Sequence, residues 1–169
     1  MKVEIVGEIA HLKDAFPLGT RERSDTQVLV DFRAALSGSD SFFYLQDCVA
    51  VLPGRSDESQ GACFGQFVLV FRRLDLNDNR DLYSMLLQTL QGLLKTTSSS
   101  DALFAKLCVT APATEGARAS GLSLVLQLEA IGSTPGQAEI RWEFGLVHVQ
   151  DALISASRLL RQHLAKPSV

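Results

Sequence analysis

The amino-acid sequence predicts a single α+β domain over residues 1–169, in which an antiparallel β-sheet carries amphipathic helices packed on one face. Two kinds of pattern indicate this class. Some segments alternate apolar and polar residues with the period of two of a strand, and others space leucines as an amphipathic helix requires. Two strands followed by a helix occur twice along the chain, and this layout offers no obvious cluster of polar residues for catalysis.

Residues 1–16 fit two kinds of element. Between Ile5 and Phe16, four apolar side chains lie four, three and four residues apart, which is the stripe of an amphipathic helix. Val3 and the β-branched Val6 would instead suit a short strand. The helix is the preferred interpretation, and the strand remains the alternative.

Strand patterns dominate the segments that follow. Apolar and polar residues alternate from Val28 to Arg33, which predicts a strand with one wetter face. Phe42 to Leu52 is an almost continuous apolar run, interrupted at 46–47, and predicts a central strand with a bulge at the interruption. Phe64 to Leu76 predicts the next strand, which ends at a cluster of Asn and Asp residues.

A helix is predicted directly after that cluster. Asn77 or Asp78 can accept a free backbone N–H as the N-cap, and Asp81 carries the charge that the first turn favours. Leucines then recur every fourth residue as far as Leu94, and Lys95 closes the last turn. This pattern predicts an amphipathic helix with a buried leucine face.

The last third of the chain contains one ambiguous segment and a second strand–strand–helix unit. Leu103 to Ala111 fits either a short helix capped by Ser100 or a strand ending at Pro112. Leu122 to Ile131 and Ala138 to Val149 both alternate and predict an antiparallel hairpin. Leucines from Leu153 to Leu164 predict a final amphipathic helix, which Pro167 ends.

Composition and charge exclude several functional classes. The net charge is -3 and the 16 Lys and Arg residues are dispersed, so nucleic acid is not expected as a partner. No stretch approaches the ~18 apolar residues of a membrane span. Three scattered cysteines and an N-terminus with acidic residues predict a reducing, cytoplasmic location without disulfides or a signal peptide.

One motif suggests a thiol hydrolase. Gly61 to Gly65 matches G-x-C-x-G, the cysteine form of a nucleophile elbow, with Cys63 as the candidate nucleophile. Such an elbow needs a strand before the nucleophile and a helix after it. Here a loop precedes Cys63 and a strand follows it, so a small buried cysteine is the preferred interpretation.

Metal and cofactor binding are not expected. The oxygen-bearing residues between Asp75 and Asp81 imitate the start of a calcium loop, but Arg80 and Leu86 stand where an EF-hand requires glycine and glutamate. The histidines, at 11, 148 and 163, lie far apart and lack zinc-ligand spacing to the cysteines. The sequence therefore predicts a protein that is not an enzyme and that has no metal and no cofactor.

The order of elements resembles the type III secretion chaperones, which bind effector proteins. The residues that carry the resemblance are the strand Phe67–Leu76 with the helix Leu82–Leu94, and the hairpin Leu122–Val149 with the helix Leu153–Leu164. The resemblance implies a homodimer joined through the second helix and neighbouring strands. It also implies apolar grooves that hold an extended segment of a client protein.

The predicted function is a non-catalytic protein-binding module, chaperone-like or an assembly subunit, which holds a partner polypeptide or pairs with itself. The candidate partner-binding residues are the helix leucines: Leu82, Leu86, Leu90, Leu94, Leu153, Leu160 and Leu164. A pleckstrin-homology-like barrel is the alternative fold. It would bind a peptide or a lipid headgroup, although only Arg21, Arg23 and Arg33 supply cations near its first strands.

Overall fold

Six strands form one sheet in the part of the chain that the structure describes. The structure is a computed structural model, and it describes residues 1–7, 9, 21–22, 26–52, 61–95, 102–111 and 121–165. The strands are β1 Lys2–Ile5, β2 Arg21–Glu22, β3 Phe43–Leu52, β4 Gly61–Phe71, β5 Leu103–Thr110 and β6 Ser123–Gly132. The helices are α1 Gln27–Ser37, α2 Arg80–Lys95 and α3 Pro135–Leu164.

The sheet is open and mostly antiparallel. Its strand order is β1-β5-β6-β4-β3-β2, and β1 is parallel to β5 while the other neighbours are antiparallel. The strands β3 and β4 precede α2, and β5 and β6 precede α3. The predicted α+β class is thus confirmed, and the strand–strand–helix order does occur twice, with different strands in the second unit.

All three helices contact the same face of β4. The Phe32 ring of α1 lies 4.9 Å from the Phe67 ring, and the Tyr83 ring of α2 lies 4.8 Å from the Phe71 ring. Trp142 of α3 lies over Gly65. Because alternate residues of a strand point to the same side, these contacts place the helices together on one face, with α3 between and in contact with α1 and α2.

The predicted strand at Val28–Arg33 is wrong, because these residues lie in α1. Thr26 is the N-cap, and its side chain accepts the N–H of Leu29 at 3.4 Å. Leu29, Phe32 and Leu36 are fully buried, at a spacing of three and four residues. This helical stripe occupies the same sequence as the apparent alternation, and the packing of Phe32 against the sheet selects the helix.

The predicted second strand of the late hairpin, Ala138–Val149, is also wrong. These residues form the first half of α3, which begins with Thr134 as N-cap and Pro135 in the first turn. Trp142 and Leu146 are buried and four residues apart, as a helix requires. Leu122–Ile131 was correctly predicted as a strand, but β6 pairs with β4 and β5 and not with the residues that follow it.

Two segments were compatible with either a helix or a strand, and the structure decides between these alternatives. Lys2–Ile5 is a strand, so the preferred helix over residues 1–16 is wrong where the structure describes them. Leu103–Thr110 is a strand, paired along its length with β6.

The bulge predicted in β3 is confirmed by a register shift between Leu45 and Asp47. The strand predicted to run to Leu76 ends at Phe71, and a single 3-10 turn covers Leu74–Leu76.

The polar segments at 53–60, 96–101 and 112–120, and the predicted stop at Pro167, lie outside the described residues.

The N-cap of α2 is Asn79, whose Oδ1 accepts the N–H of Leu82 at 3.0 Å. Asn77 and Asp78, the predicted caps, precede it. Asn77 is instead buried, and its side chain bonds to the backbone of Phe71.

Candidate functional site

The leucines predicted to bind a partner form the interior of the domain. Six of them have buried side chains within the chain's own core: Leu82, Leu86, Leu90, Leu94, Leu153 and Leu160. Leu164, at the end of α3, is 37% exposed. The helix faces chosen from the sequence therefore hold α2 and α3 to the sheet, and the apolar surface open to another molecule comes mainly from other residues.

A groove between α2 and α3 is the candidate binding site. Its volume is about 310 Å³, and both helices line it with mostly apolar side chains: Met85, Leu86, Thr89, Ala156, Leu159, Leu160, Gln162 and His163. Leu86 and Leu160, two of the predicted residues, line its buried part. Leu159 is 49% exposed and offers apolar surface at the opening.

Small side chains at the helix contact explain the groove. Ala156 of α3 and Thr89 of α2 both line it, and neither fills the space that a larger side chain would take. The hydroxyl of Thr89 donates to the backbone oxygen of Met85 at 2.8 Å, so it is occupied within its own helix. Among the residues that the structure describes, no acid, lysine or arginine lines the groove. An apolar group of a ligand suits it better than a charged one, which would lose its hydration there.

Cys63 does not have the environment of a nucleophile. It lies within β4 with its side chain fully buried beneath the helices. Burial, with smaller contributions from the charges of Glu139 and Glu143, raises the pKa of the thiol to about 12. A catalytic cysteine needs a thiolate, which a lowered pKa supplies, so the arrangement at Cys63 is the opposite of an activated one.

We expect Cys63 to resist alkylation in the folded protein. With iodoacetamide at neutral pH, the half-buried Cys48 should be labelled first, and Cys63 only when the protein is unfolded in urea. Peptide mass spectrometry of samples quenched over time measures each site separately. If Cys63 were labelled faster than Cys48 in the native state, the result would support the hypothesis that the protein is a thiol hydrolase.

The calcium-like residues serve the fold in different ways. Asp75 pairs with Arg73 at 2.6 Å on the surface, Asn77 is buried, and Asn79 caps α2. Across the described ranges, no group of three or more His, Cys, Asp or Glu residues is placed to hold a metal ion. The spacing that imitated a metal loop is explained by helix capping and by backbone hydrogen bonds.

The two histidines within the described residues lie on α3. Nδ1 of His148 donates to the backbone oxygen of Phe144 at 2.8 Å, one helical turn earlier. His148 therefore lies on a helix and not on the strand that was predicted for Ala138–Val149. His163 lines the groove near the end of the helix. His11 lies outside the described residues.

No protein-family model, no curated protein and no solved structure matches this chain.

The described strands form an open sheet with α3 across one face, so they do not make the closed barrel of the pleckstrin-homology-like alternative. Within the described part of the chain, none of the helices combines the length and the apolar composition that crossing a membrane requires.

Sequence reasoning missed the exposed side of the groove. Leu159 and Met85 are absent from the predicted partner-binding residues, since each sits next to a leucine that fits the helical stripe better. The Leu159-Leu160 pair was the available signal, because two adjacent leucines on a helix point about 100° apart, and one of them can lie at the edge of the buried face.

Proposed function

We propose that this protein is a non-catalytic protein-binding module that holds an apolar segment of a partner polypeptide, as a chaperone-like or assembly subunit does. The observation that carries the proposal is the groove between α2 and α3, with its apolar lining and its volume of about 310 Å³. A space of this size accepts one or two large apolar side chains of a bound segment.

The chemistry of the lining supports an apolar polypeptide as the occupant. Met85 and Leu159 provide partly accessible apolar surface on the two sides of the groove. Met is flexible and adapts to different side chains, which suits a site that holds segments of varied sequence. Gln162 and His163, both exposed, provide hydrogen-bonding groups at the edge for the backbone of the segment. The homodimer and the cytoplasmic location remain part of the proposal.

The test is binding of fluorescently labelled synthetic peptides, measured by anisotropy, with peptides that carry clusters of Leu, Ile and Phe and with versions in which serine replaces them. The apolar peptides should bind the wild-type protein. Leu159→Ser should weaken this binding about tenfold, because the groove loses most of one leucine contact.

Val30→Ser is the matched control. Val30 lies on α1, outside the groove, and is 46% exposed, close to the exposure of Leu159. This variant should bind the apolar peptides as the wild type does. Equal binding by Leu159→Ser and the wild type, or equal binding of apolar and serine-substituted peptides, would rule out the groove as the site.

A further inference from the structure

The first half of α3 carries an apolar stripe that faces away from the domain. The stripe consists of Ile140, Phe144 and Val147, which are 70%, 54% and 44% exposed. They lie four and three residues apart and so share one side of the helix. Single exposed apolar residues are ordinary on a protein surface, but three that adjoin on one helix face form a patch of the kind used for association.

The opposite side of the same segment is firmly held. Ala138, Trp142, Leu146 and Val149 are all fully buried. The indole Nε1 of Trp142 donates to the backbone oxygen of Leu128 at 3.3 Å, which ties the helix to β6. The stripe is therefore presented by a fixed helix, so a partner would not need to order it on binding.

Acidic residues flank the stripe on one side. Glu139 and Glu143 lie one helical turn apart, and Asp151 continues the line of the stripe beyond Val147. Partial burial, and then the neighbouring Glu139, raise the pKa of Glu143. A cation placed beside Glu143 would stabilise its charged form.

The other flank holds two groups that are already engaged. Arg141 donates to the backbone oxygen of Ile131 at 2.6 Å. His148 donates to the oxygen of Phe144, and its ring lies 4.1 Å from the Phe144 ring. Arg141 keeps its positive charge, but among the described residues around the stripe three acids, Glu139, Glu143 and Asp151, stand against this one arginine and His148, so the surface is predominantly acidic.

We propose that this stripe docks an amphipathic helix of another protein, with Ile140, Phe144 and Val147 against its apolar face and Glu143 beside its Lys or Arg residues. Helices pack by fitting rows of side chains spaced by four residues, and Ile140 and Phe144 form such a row. An antiparallel pairing of two copies through the stripe would bring Glu139 and Glu143 against the same acids of the other copy. A parallel pairing would offer these acids only Arg141 and His148, which already bond to backbone oxygens, so a partner helix rich in Lys or Arg fits better than a second copy.

This surface is separate from the groove, since no residue of the stripe lines the groove. The proposal therefore stands independently of the function proposed above. Two synthetic helical peptides test it: both carry the same leucine stripe, and their remaining positions are lysine in one and glutamate in the other. Binding to the intact protein is measured by fluorescence anisotropy at several salt concentrations.

The lysine peptide should bind the wild-type protein more tightly than the glutamate peptide, since only the lysine peptide gains from the acids beside the stripe. Phe144→Ser and Ile140→Ser should each weaken binding about tenfold. Glu143→Gln should weaken it about two- to fivefold and reduce its salt dependence. Val30→Ser is the control, because Val30 lies on α1 outside both the groove and the stripe, and it should leave binding of the lysine peptide unchanged.

Three outcomes would overturn the proposal. The first is equal binding of the two peptides, and the second is unchanged binding by both serine variants when circular dichroism shows that they are folded. The third is a wild-type dimer in light scattering that Phe144→Ser converts to a monomer, because the stripe would then be an interface between two copies of this chain.

Discussion

Replacing Trp142 with alanine should lower the free energy of unfolding by about 3–5 kcal/mol. Trp142 is the largest fully buried side chain, and its indole N–H bonds to the backbone of β6. The change removes the apolar contacts of the ring, leaves a cavity between α3 and the sheet, and leaves the oxygen of Leu128 without this bond. A domain of this size has a total stability of about 5–15 kcal/mol, so the loss is a large part of it.

Urea denaturation followed by far-UV circular dichroism measures this effect. Tryptophan fluorescence does not serve, because the chain contains 1 Trp and the substitution removes it. Trp142→Phe keeps part of the ring and should cost less than the alanine variant. A loss below about 1 kcal/mol for Trp142→Ala would mean that the α3 contact with the sheet does not depend on this side chain.

Gly65 provides a second test of the same contact. A Cβ added at Gly65 would lie 2.7 Å from Cζ2 of Trp142 and 3.0 Å from the Phe67 ring, closer than atoms pack. Gly65→Ala should therefore cost about 1–3 kcal/mol in the wild type. In the Trp142→Phe background it should cost at least about 0.5 kcal/mol less, because phenylalanine lacks the atom nearest to position 65.

Gly92→Ala is the matched control for this pair. Gly92 lies in α2, is exposed, and has no atom within 4 Å of the added Cβ. Here alanine should stabilise the protein by up to about 1 kcal/mol through its higher helix propensity. Costs at Gly65 that are the same in both backgrounds would show that Trp142 is not what restricts this position.

The elements that the sequence predicted well are those whose hydrophobic pattern fits only one kind of element, either a helix or a strand. In α2, leucines at every fourth position have no competing alternation, and the helix matches its prediction from Leu82 to Leu94. In β3, the apolar run is too continuous for an amphipathic helix, and the polar pair at 46–47 marks the observed irregularity. Local pattern and tertiary packing agree in both elements.

The errors occur where the same apolar residues fit both the two-residue period of a strand and the four-residue spacing of a helix. In the first half of α3, every second residue from Ile140 to Leu146 is apolar, which imitates a strand. Trp142 and Leu146 also lie four residues apart, which suits a helix. The sequence does contain a capping signal, Thr134 followed by Pro135, which is typical of a helix start.

The groove could not be derived from the sequence for a related reason. A leucine stripe shows that a helix buries one face, but not whether a neighbouring element of the same chain or a partner covers that face. Here the sheet and the core cover the stripes of α2 and α3, and Leu159 remains accessible at the opening of the groove between the two helices. That distinction depends on which helices meet, and the spacing of leucines carries no information about it.

Replacing Asn77 with alanine should lower the free energy of unfolding by about 2–4 kcal/mol, far more than an ordinary surface asparagine. Asn77 is buried; its Oδ1 accepts the N–H of Phe71 at 2.8 Å and its Nδ2 donates to the oxygen of Phe71 at 3.3 Å. Alanine leaves both backbone groups of Phe71 without these partners inside the protein.

The same asparagine joins three elements. Its backbone oxygen accepts the N–H of Leu122 at 2.7 Å, directly before β6. The hydroxyl of Tyr83, in α2, donates to the oxygen of Leu122 at 2.5 Å and lies 3.1 Å from Oδ1 of Asn77. Gly121 has a φ of +117° and approaches Asn77 so closely that an added Cβ would lie 2.8 Å away from it. Loss of the side chain removes the bonds to Phe71 and the contact with Tyr83, whereas the backbone bond to Leu122 remains. The direct effect is therefore on the end of β4 and the start of α2, and the entry to β6 is affected through Tyr83.

Asn79→Ala is the matched control, two residues away. It removes one N-cap bond, from the N–H of Leu82, and should cost about 1 kcal/mol. If the two alanine variants lose the same stability in urea denaturation, Asn77 acts as an ordinary capping residue and the junction does not depend on it.

The variant Asn77→Asp adds a test by pH. The aspartate keeps an acceptor for the N–H of Phe71 but loses the donor to its oxygen and places a carboxylate in a buried site. Burial should raise the pKa of this carboxyl in the folded state, so the folded protein binds more protons than the unfolded one. Its stability relative to the wild type should therefore increase as the pH falls. A deficit that does not change with pH would mean that residue 77 reaches water, in conflict with the buried junction that joins β4, α2 and β6.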